Sequence, residues 1–188
     1  MKALKPREPS ADPAGDVLRQ YLSFMLKGDV YAIGILHIKE IIEYDKVTSV
    51  PMVPDFIRGV INLRGAVVPV IDLARRFGKS VSQINRRTCI VLIELADAQD
   101  ETHVLGLVVD AVNEVLEIAD VDVLPPPAFG ARIRTDFIQG MGRVGEDFVI
   151  ILQLDQILSA EEMQLLSQVG ELPSLPSGGG RHEPGSQA

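Results

Sequence analysis

Phe56-Ile57-Arg58-Gly59-Val60-Ile61-Asn62-Leu63-Arg64-Gly65-Ala66-Val67-Val68-Pro69-Val70-Ile71-Asp72-Leu73 decides the fold, because a degraded copy returns 81 positions later, from Phe137-Ile138-Gln139-Gly140 to Leu154. At that offset Phe56 falls on Phe137, Ile57 on Ile138, Gly59 on Gly140, Val68 on Val149, Ile71 on Leu152 and Leu73 on Leu154. The shared positions are apolar or glycine, while the polar residues differ. What repeats is therefore a packing pattern and not a reactive group, and the chain reads as one module built twice.

Outward from this repeat, the apolar runs are short and rich in Val and Ile: Tyr21 to Leu26, Val30 to Ile33, Ile41 to Tyr44, Val60 to Leu63, Val67 to Ile71, Cys89 to Leu95, Val104 to Val109 and Phe148 to Leu152. Runs of this length and composition are strands. Gly28-Asp29 and Arg64-Gly65 supply tight turns between them, and many short strands with such turns indicate small barrels or a sandwich. Val112, Val115 and Leu116 fit either a strand or a helical turn, since so short a run does not settle its period. Leu124-Pro125-Pro126-Pro127 lacks amide donors at three successive positions and is expected as a stiff connection outside any central strand. One helix is expected after Ser159, which as N-cap forms a capping box with Glu162 ahead of Met163, Leu165, Leu166 and Val169, with Gly170 as its stop. The fold class is thus mainly β, with a C-terminal helix.

The chain has 188 residues and 46% hydrophobic content, enough for a buried core. Residues 1–17 and 171–188, rich in Pro, Gly and polar residues, are expected to be flexible tails around one domain at 18–170. No apolar run approaches the roughly 18 to 20 residues that cross a bilayer, and no secretory signal opens the chain, so a cytoplasmic protein without membrane insertion is expected. Cys89 is the single cysteine, and its apolar neighbours suggest a buried thiol. A formal charge of −8 argues against nucleic acid as a partner. That charge is unevenly spread: Arg58 to Arg87 holds seven bases against one acid, whereas Glu94 to Val123 holds nine acids and no Lys or Arg. Such a bipolar chain could dock head to tail, although charge runs are also ordinary solvated faces.

Little in the sequence marks catalysis. Gly140-Met141-Gly142-Arg143-Val144-Gly145 fits GxGxxG, but a dinucleotide site needs a helix after the glycines, and Phe148 to Leu152 is a strand. His37, His103 and His182, with one cysteine, lack the clustered spacing of a structural zinc site, and no metal or cofactor is expected. No GxSxG elbow, HExxH helix or GxxxxGK[ST] loop occurs. Asp72 and Asp155 stand near strand ends, where carboxylates often cap a following turn.

Ile57 to Gly65, followed by Val68-Pro69-Val70-Ile71-Asp72-Leu73, closely resembles the signature of the CheW family of bacterial chemotaxis coupling proteins. The resemblance extends to Tyr31-Ala32-Ile33, Ile38-Lys39-Glu40-Ile41, Gly106 to Val112 and Glu161-Glu162-Met163, covering roughly Gln20 to Val169. It implies two interlocked five-stranded SH3-like barrels and no enzymatic activity. It implies two partners, the cytoplasmic tip of a chemoreceptor (a methyl-accepting chemotaxis protein) and the regulatory domain of the histidine kinase CheA, with recruitment to membrane receptor arrays. By motif position Ile38, Glu40, Gly59, Arg64, Gly106, Val112 and Val115 border the receptor groove; the kinase-binding residues are not identified. Gly59 and Gly65 also fit a purely conformational role, the three apolar residues also fit a core role, and Arg64 also fits an internal salt bridge with Glu40. The polar stretch Ala96 to Thr102 and both tails depart from the simplest family pattern. They leave open an adaptor of a related receptor and histidine-kinase pathway outside chemotaxis, and, further off, a small-ligand or nucleotide-binding module.

Overall fold

The computed structural model describes residues 17–128 and 133–170. The expected tails fall outside these residues, apart from Val17. Among the described residues the chain forms eleven strands: β1 (Leu18–Leu26), β2 (Asp29–Gly34), β3 (Ile38–Glu43), β4 (Ile57–Leu63), β5 (Ala66–Asp72), β6 (Cys89–Ala96), β7 (Thr102–Val109), β8 (Ala111–Ala119), β9 (Val123–Leu124), β10 (Ile138–Val144) and β11 (Asp147–Leu152). Two α-helices join them, α1 (Leu73–Arg76) and α2 (Ala160–Gly170).

The strands make two sheets, β3-β6-β7-β5-β4 and β8-β1-β2-β11-β10-β9. The first is five-stranded, and the second gains a sixth member from the two-residue β9. These are the two SH3-like barrels, and they interlock: β1 and β2 open the second barrel, β3 to β7 complete the first, and β8 to β11 return to close the second. A chain threaded this way cannot separate its halves at one linker.

The repeat is a structural one. β4 and β10 lie 81 residues apart with the same length, and each pairs with the next strand through a bulge at the same place, between Ile57 and Gly59 in one copy and Ile138 and Gly140 in the other. The Asp72 N–H donates to Phe56 O at 2.8 Å, and the equivalent Gln153 N–H donates to Phe137 O at 2.7 Å. β5 runs parallel to β7 as β11 runs parallel to β2.

Burial follows this duplication. Ile61, Val68, Val70, Ile90, Leu92 and Val108 fill the first barrel, and Tyr21, Ala32, Ile118, Val149 and Ile151 fill the second. The largest core lies between them and draws on both, with Phe24, Tyr31, Ile33, Ile71, Leu73, Ile93, Leu107, Phe137 and Leu152 among its members. Leu166 of α2 belongs to it too. At its edge Arg76 of α1 lies over the rings of Phe56 and Phe137, 4.6 and 5.3 Å from their centroids, so the two equivalent phenylalanines share one guanidinium. The same side chain donates to Ile157 O and to Glu162 Oε1 at 2.9 Å, tying α1 to α2.

Several local expectations meet their elements. Ser159 and Glu162 form the capping box: Glu162 N–H donates to Ser159 Oγ at 3.1 Å and Ser159 N–H to Glu162 Oε1 at 2.9 Å. α2 runs to Gly170, and residues 171–188 lie outside the described residues. Residues 112 to 116 resolve as a strand, part of β8, whose register against β1 shifts between Leu22 and Phe24. That bulge is why its apolar residues show no clean alternation. Asp72 caps α1 through Oδ1, which accepts from the Arg75 N–H at 3.2 Å. Asp155 caps nothing: it sits inside the 3-10 turn Leu154–Gln156, whose N-cap is Gln153.

Candidate docking site

The β4–β5 hairpin is built to present Arg64. Leu63 pairs with Ala66, leaving Arg64 and Gly65 as a two-residue loop, and both have positive φ, 50° and 87°. Two such residues match the twist of the flanking strands, which explains the glycine. The Asn62 Oδ1 accepts from the Gly65 N–H at 2.9 Å and locks the turn. From it the Arg64 guanidinium reaches Glu40 on β3, one nitrogen donating to Oε1 at 3.0 Å and Oε2 at 3.1 Å. The internal pair weighed from sequence is thus formed. Arg64 nevertheless stays 70% exposed, with Glu40 at 32%, so the pair is a surface feature of small energetic weight.

Beside this pair a groove of about 500 Å³ runs between α2 and the first barrel, lined by Lys39, Leu63, Arg64, Val67, Val104 and Met163 among others. Val115 lies apart from this groove, on β8 at the edge of the second sheet, opposite Leu22 and 51% exposed. Val112 and Ile38 are half-buried and pack against the shared core, so both lie along the seam between the barrels. The Val112 N–H faces the Cys89 sulfur, and burial pushes that thiol's pKa up, which keeps it protonated and poorly nucleophilic.

The two glycines sit elsewhere. Gly59 is buried at the β4 bulge, where an added Cβ would stand 2.1 Å from the Thr48 carbonyl oxygen. Gly106 is buried in the first barrel, where a Cβ would meet Ile90 Cγ2 at 2.7 Å. The structure therefore brings Glu40 and Arg64 together, places Ile38 and Val112 on the inter-barrel seam, leaves Val115 exposed on β8, and turns Gly59 and Gly106 toward packing contacts.

The glycines of the GxGxxG run are likewise consumed by packing. Gly140 and Gly142 lie within β10, where a Cβ would meet Val123 Cγ1 at 2.6 Å and Ile118 Cδ1 at 2.7 Å. Gly145 turns the chain into β11, so no helix N-terminus faces them.

Charge is less available than the sequence suggested. Of the seven bases between Arg58 and Arg87, five form internal ion pairs: Arg58 with Asp72, Arg64 with Glu40, Arg75 with Asp55, Arg76 with Glu162 and Lys79 with Asp29. Asp72, 1% exposed, also accepts from the Ser82 N–H and hydroxyl at 2.9 and 2.8 Å. The basic stretch is largely a set of braces. Sequence reasoning missed a grouping of Asp97, Glu101 and His103, whose ligand atoms lie within 4.8 Å of one another, because it weighed only His and Cys as clustered ligands.

The family model described as a CheW-like domain matches residues 20–162. Chemotaxis protein CheW of Klebsiella aerogenes is 36% identical over 159 residues, covering 84% of this chain and 93% of that protein. Its counterpart in Bacillus subtilis is 33% identical over 142 residues, covering 75% and 87%. Among solved structures, the scaffolding protein TtCheW of Thermoanaerobacter tengcongensis superposes with a TM-score of 0.69 at 29% identity, over 86% of this chain and 96% of that one. No helix among the described residues is long and apolar enough to cross a membrane.

Proposed function

The chain belongs to the CheW-like domain family, and from that membership we propose that it is a non-catalytic adaptor joining chemoreceptor cytoplasmic tips to the regulatory domain of the histidine kinase CheA. It works in the cytoplasm and is drawn to the membrane by the receptors it binds. The observation that carries the reading is the β4–β5 hairpin: the stretch most like the family's signature forms a locked turn that holds an arginine out to solvent.

An arginine fork can donate to a carboxylate or to backbone carbonyls of a partner helix, and Glu40 holds it in one orientation beforehand. Ile38 and Val112 offer apolar contact along the seam, and Val115 offers an exposed one on β8. Rigid barrels on either side keep these groups in fixed relation, so little ordering entropy is lost on docking. Each contact is modest, and joining several partners through one body gives the assembly its strength.

Co-sedimentation of the purified protein with receptor-tip fragments and CheA, with kinase phosphorylation followed in parallel, tests this. The wild type should co-sediment and raise kinase activity in a receptor-dependent way. Arg64→Ala should keep its fold, losing under about 1 kcal/mol of stability, yet bind receptor roughly tenfold more weakly, about 1.4 kcal/mol. Undiminished receptor binding by the folded variant removes Arg64 from the site. No association by the wild type under any condition rejects the adaptor reading.

A further inference from the structure

The β6–β7 hairpin carries a constellation that the adaptor reading does not use. Leu95 pairs with His103 and Ala96 with Thr102, and the Asp97 N–H donates to Glu101 O at 2.9 Å, closing the turn. Glu101 and His103, two apart at the start of a strand, point to one side. The Asp97 Oδ1 accepts from the N–H groups of Gln99 and Glu101 at 2.9 and 3.0 Å. That fixes the carboxylate, whose Oδ2 accepts from His103 Nε2 at 2.8 Å, a hydrogen bond that an ion between the two would replace.

We propose that Asp97, Glu101 and His103 bind a divalent transition-metal ion of the zinc class. The one-per-residue ligand atoms of the three lie within 4.8 Å of one another. Zinc bonds of about 2.0–2.2 Å to N and O set ligand atoms roughly 3.3–3.6 Å apart in a tetrahedron. Closing the site therefore takes movements of about an ångström, within reach of the exposed Glu101 side chain. One neutral imidazole and two carboxylates offset the ion's double charge, and the nitrogen ligand favours zinc over the oxygen-seeking Mg²⁺ and Ca²⁺.

A second element faces the same space. A cavity of about 370 Å³ between this hairpin and α2 is lined by all three residues together with Asp155 and Ser159. It has room for the water that completes a three-ligand site, and Asp155 lines it across from the hairpin. Asp97 and Glu101 fall in Ala96 to Thr102, the polar stretch where the sequence departs from the family's simplest pattern. Loading it would stiffen the hairpin beside the N-terminal turn of α2.

The test is titration calorimetry of the full chain, stripped with EDTA and dialysed, against zinc chloride, with magnesium and calcium chloride as separate arms. One zinc per chain at micromolar or tighter affinity is expected, with a higher melting temperature in zinc. His103→Ala and Asp97→Asn should each weaken binding at least tenfold while folding normally by circular dichroism; His182→Ala should bind as wild type. Absence of zinc binding overturns the proposal, as does binding that His103→Ala leaves unchanged or that magnesium and calcium match.

Discussion

At Gly59 a side chain is excluded twice, by the Thr48 carbonyl oxygen 2.1 Å from where a Cβ would stand and by a φ of +148°. Gly65 has a positive φ of 87° with nothing within 4 Å of the place a methyl would take, so only backbone strain applies there. Gly59→Ala is therefore expected to cost about 2–4 kcal/mol and Gly65→Ala about 1 kcal/mol, read from urea midpoints. Equal losses would mean that Thr48 yields to the methyl. The buried Asp72 is the other residue on which local order rests, since it accepts from Arg58, Ser82 and Arg75. Asp72→Ala leaves the Arg58 charge and two Ser82 donors without their acceptor, and a loss of about 3–5 kcal/mol in thermal or urea unfolding is expected. The Arg64-Gly65 turn was legible because turn chemistry is local. The crowding at Gly59 was not, because Thr48 reaches it through the isolated bridge Thr48–Val60, a pairing that no sequence spacing announces.

Among the elements, α2 was the plainest from sequence, because its cap is a reciprocal pair within four residues. Ser159→Ala should cost about 1 kcal/mol and speed amide exchange in the first turn of α2 while leaving β6 protected. Protection lost equally in both would show that α2 and the barrel open together. β10 was the hardest to see, since Gly140 and Gly142 depress strand propensity and only the 81-residue offset marks it. β9 spans two residues beside a proline run and carries no periodic signal. β8 hid for a different reason: its bulge and exposed edge mix apolar and acidic residues on both faces. In each case tertiary pairing supplied what local composition lacked. The candidate site divides in the same way, with the Arg64 turn readable and the seam of Ile38 and Val112 set by how the two barrels meet.

For the whole molecule, the largest core belongs to neither barrel alone, and the chain crosses between barrels twice. Neither half keeps its apolar surface covered without the other. A single unfolding transition is expected, with near- and far-ultraviolet circular dichroism coinciding in urea; separated midpoints would show that the barrels are independent. The duplicated halves are nevertheless unequal at their meeting point. Arg76 and Ile157 occupy equivalent positions in the two copies and touch through the Arg76 contact with the Ile157 carbonyl. A homodimer of two identical half-chains would set two guanidiniums side by side there, or two aliphatic chains in place of the bridging Arg76. This junction is therefore matched as a fused heterodimer of its own halves, and fusion gives the particle a front and a back.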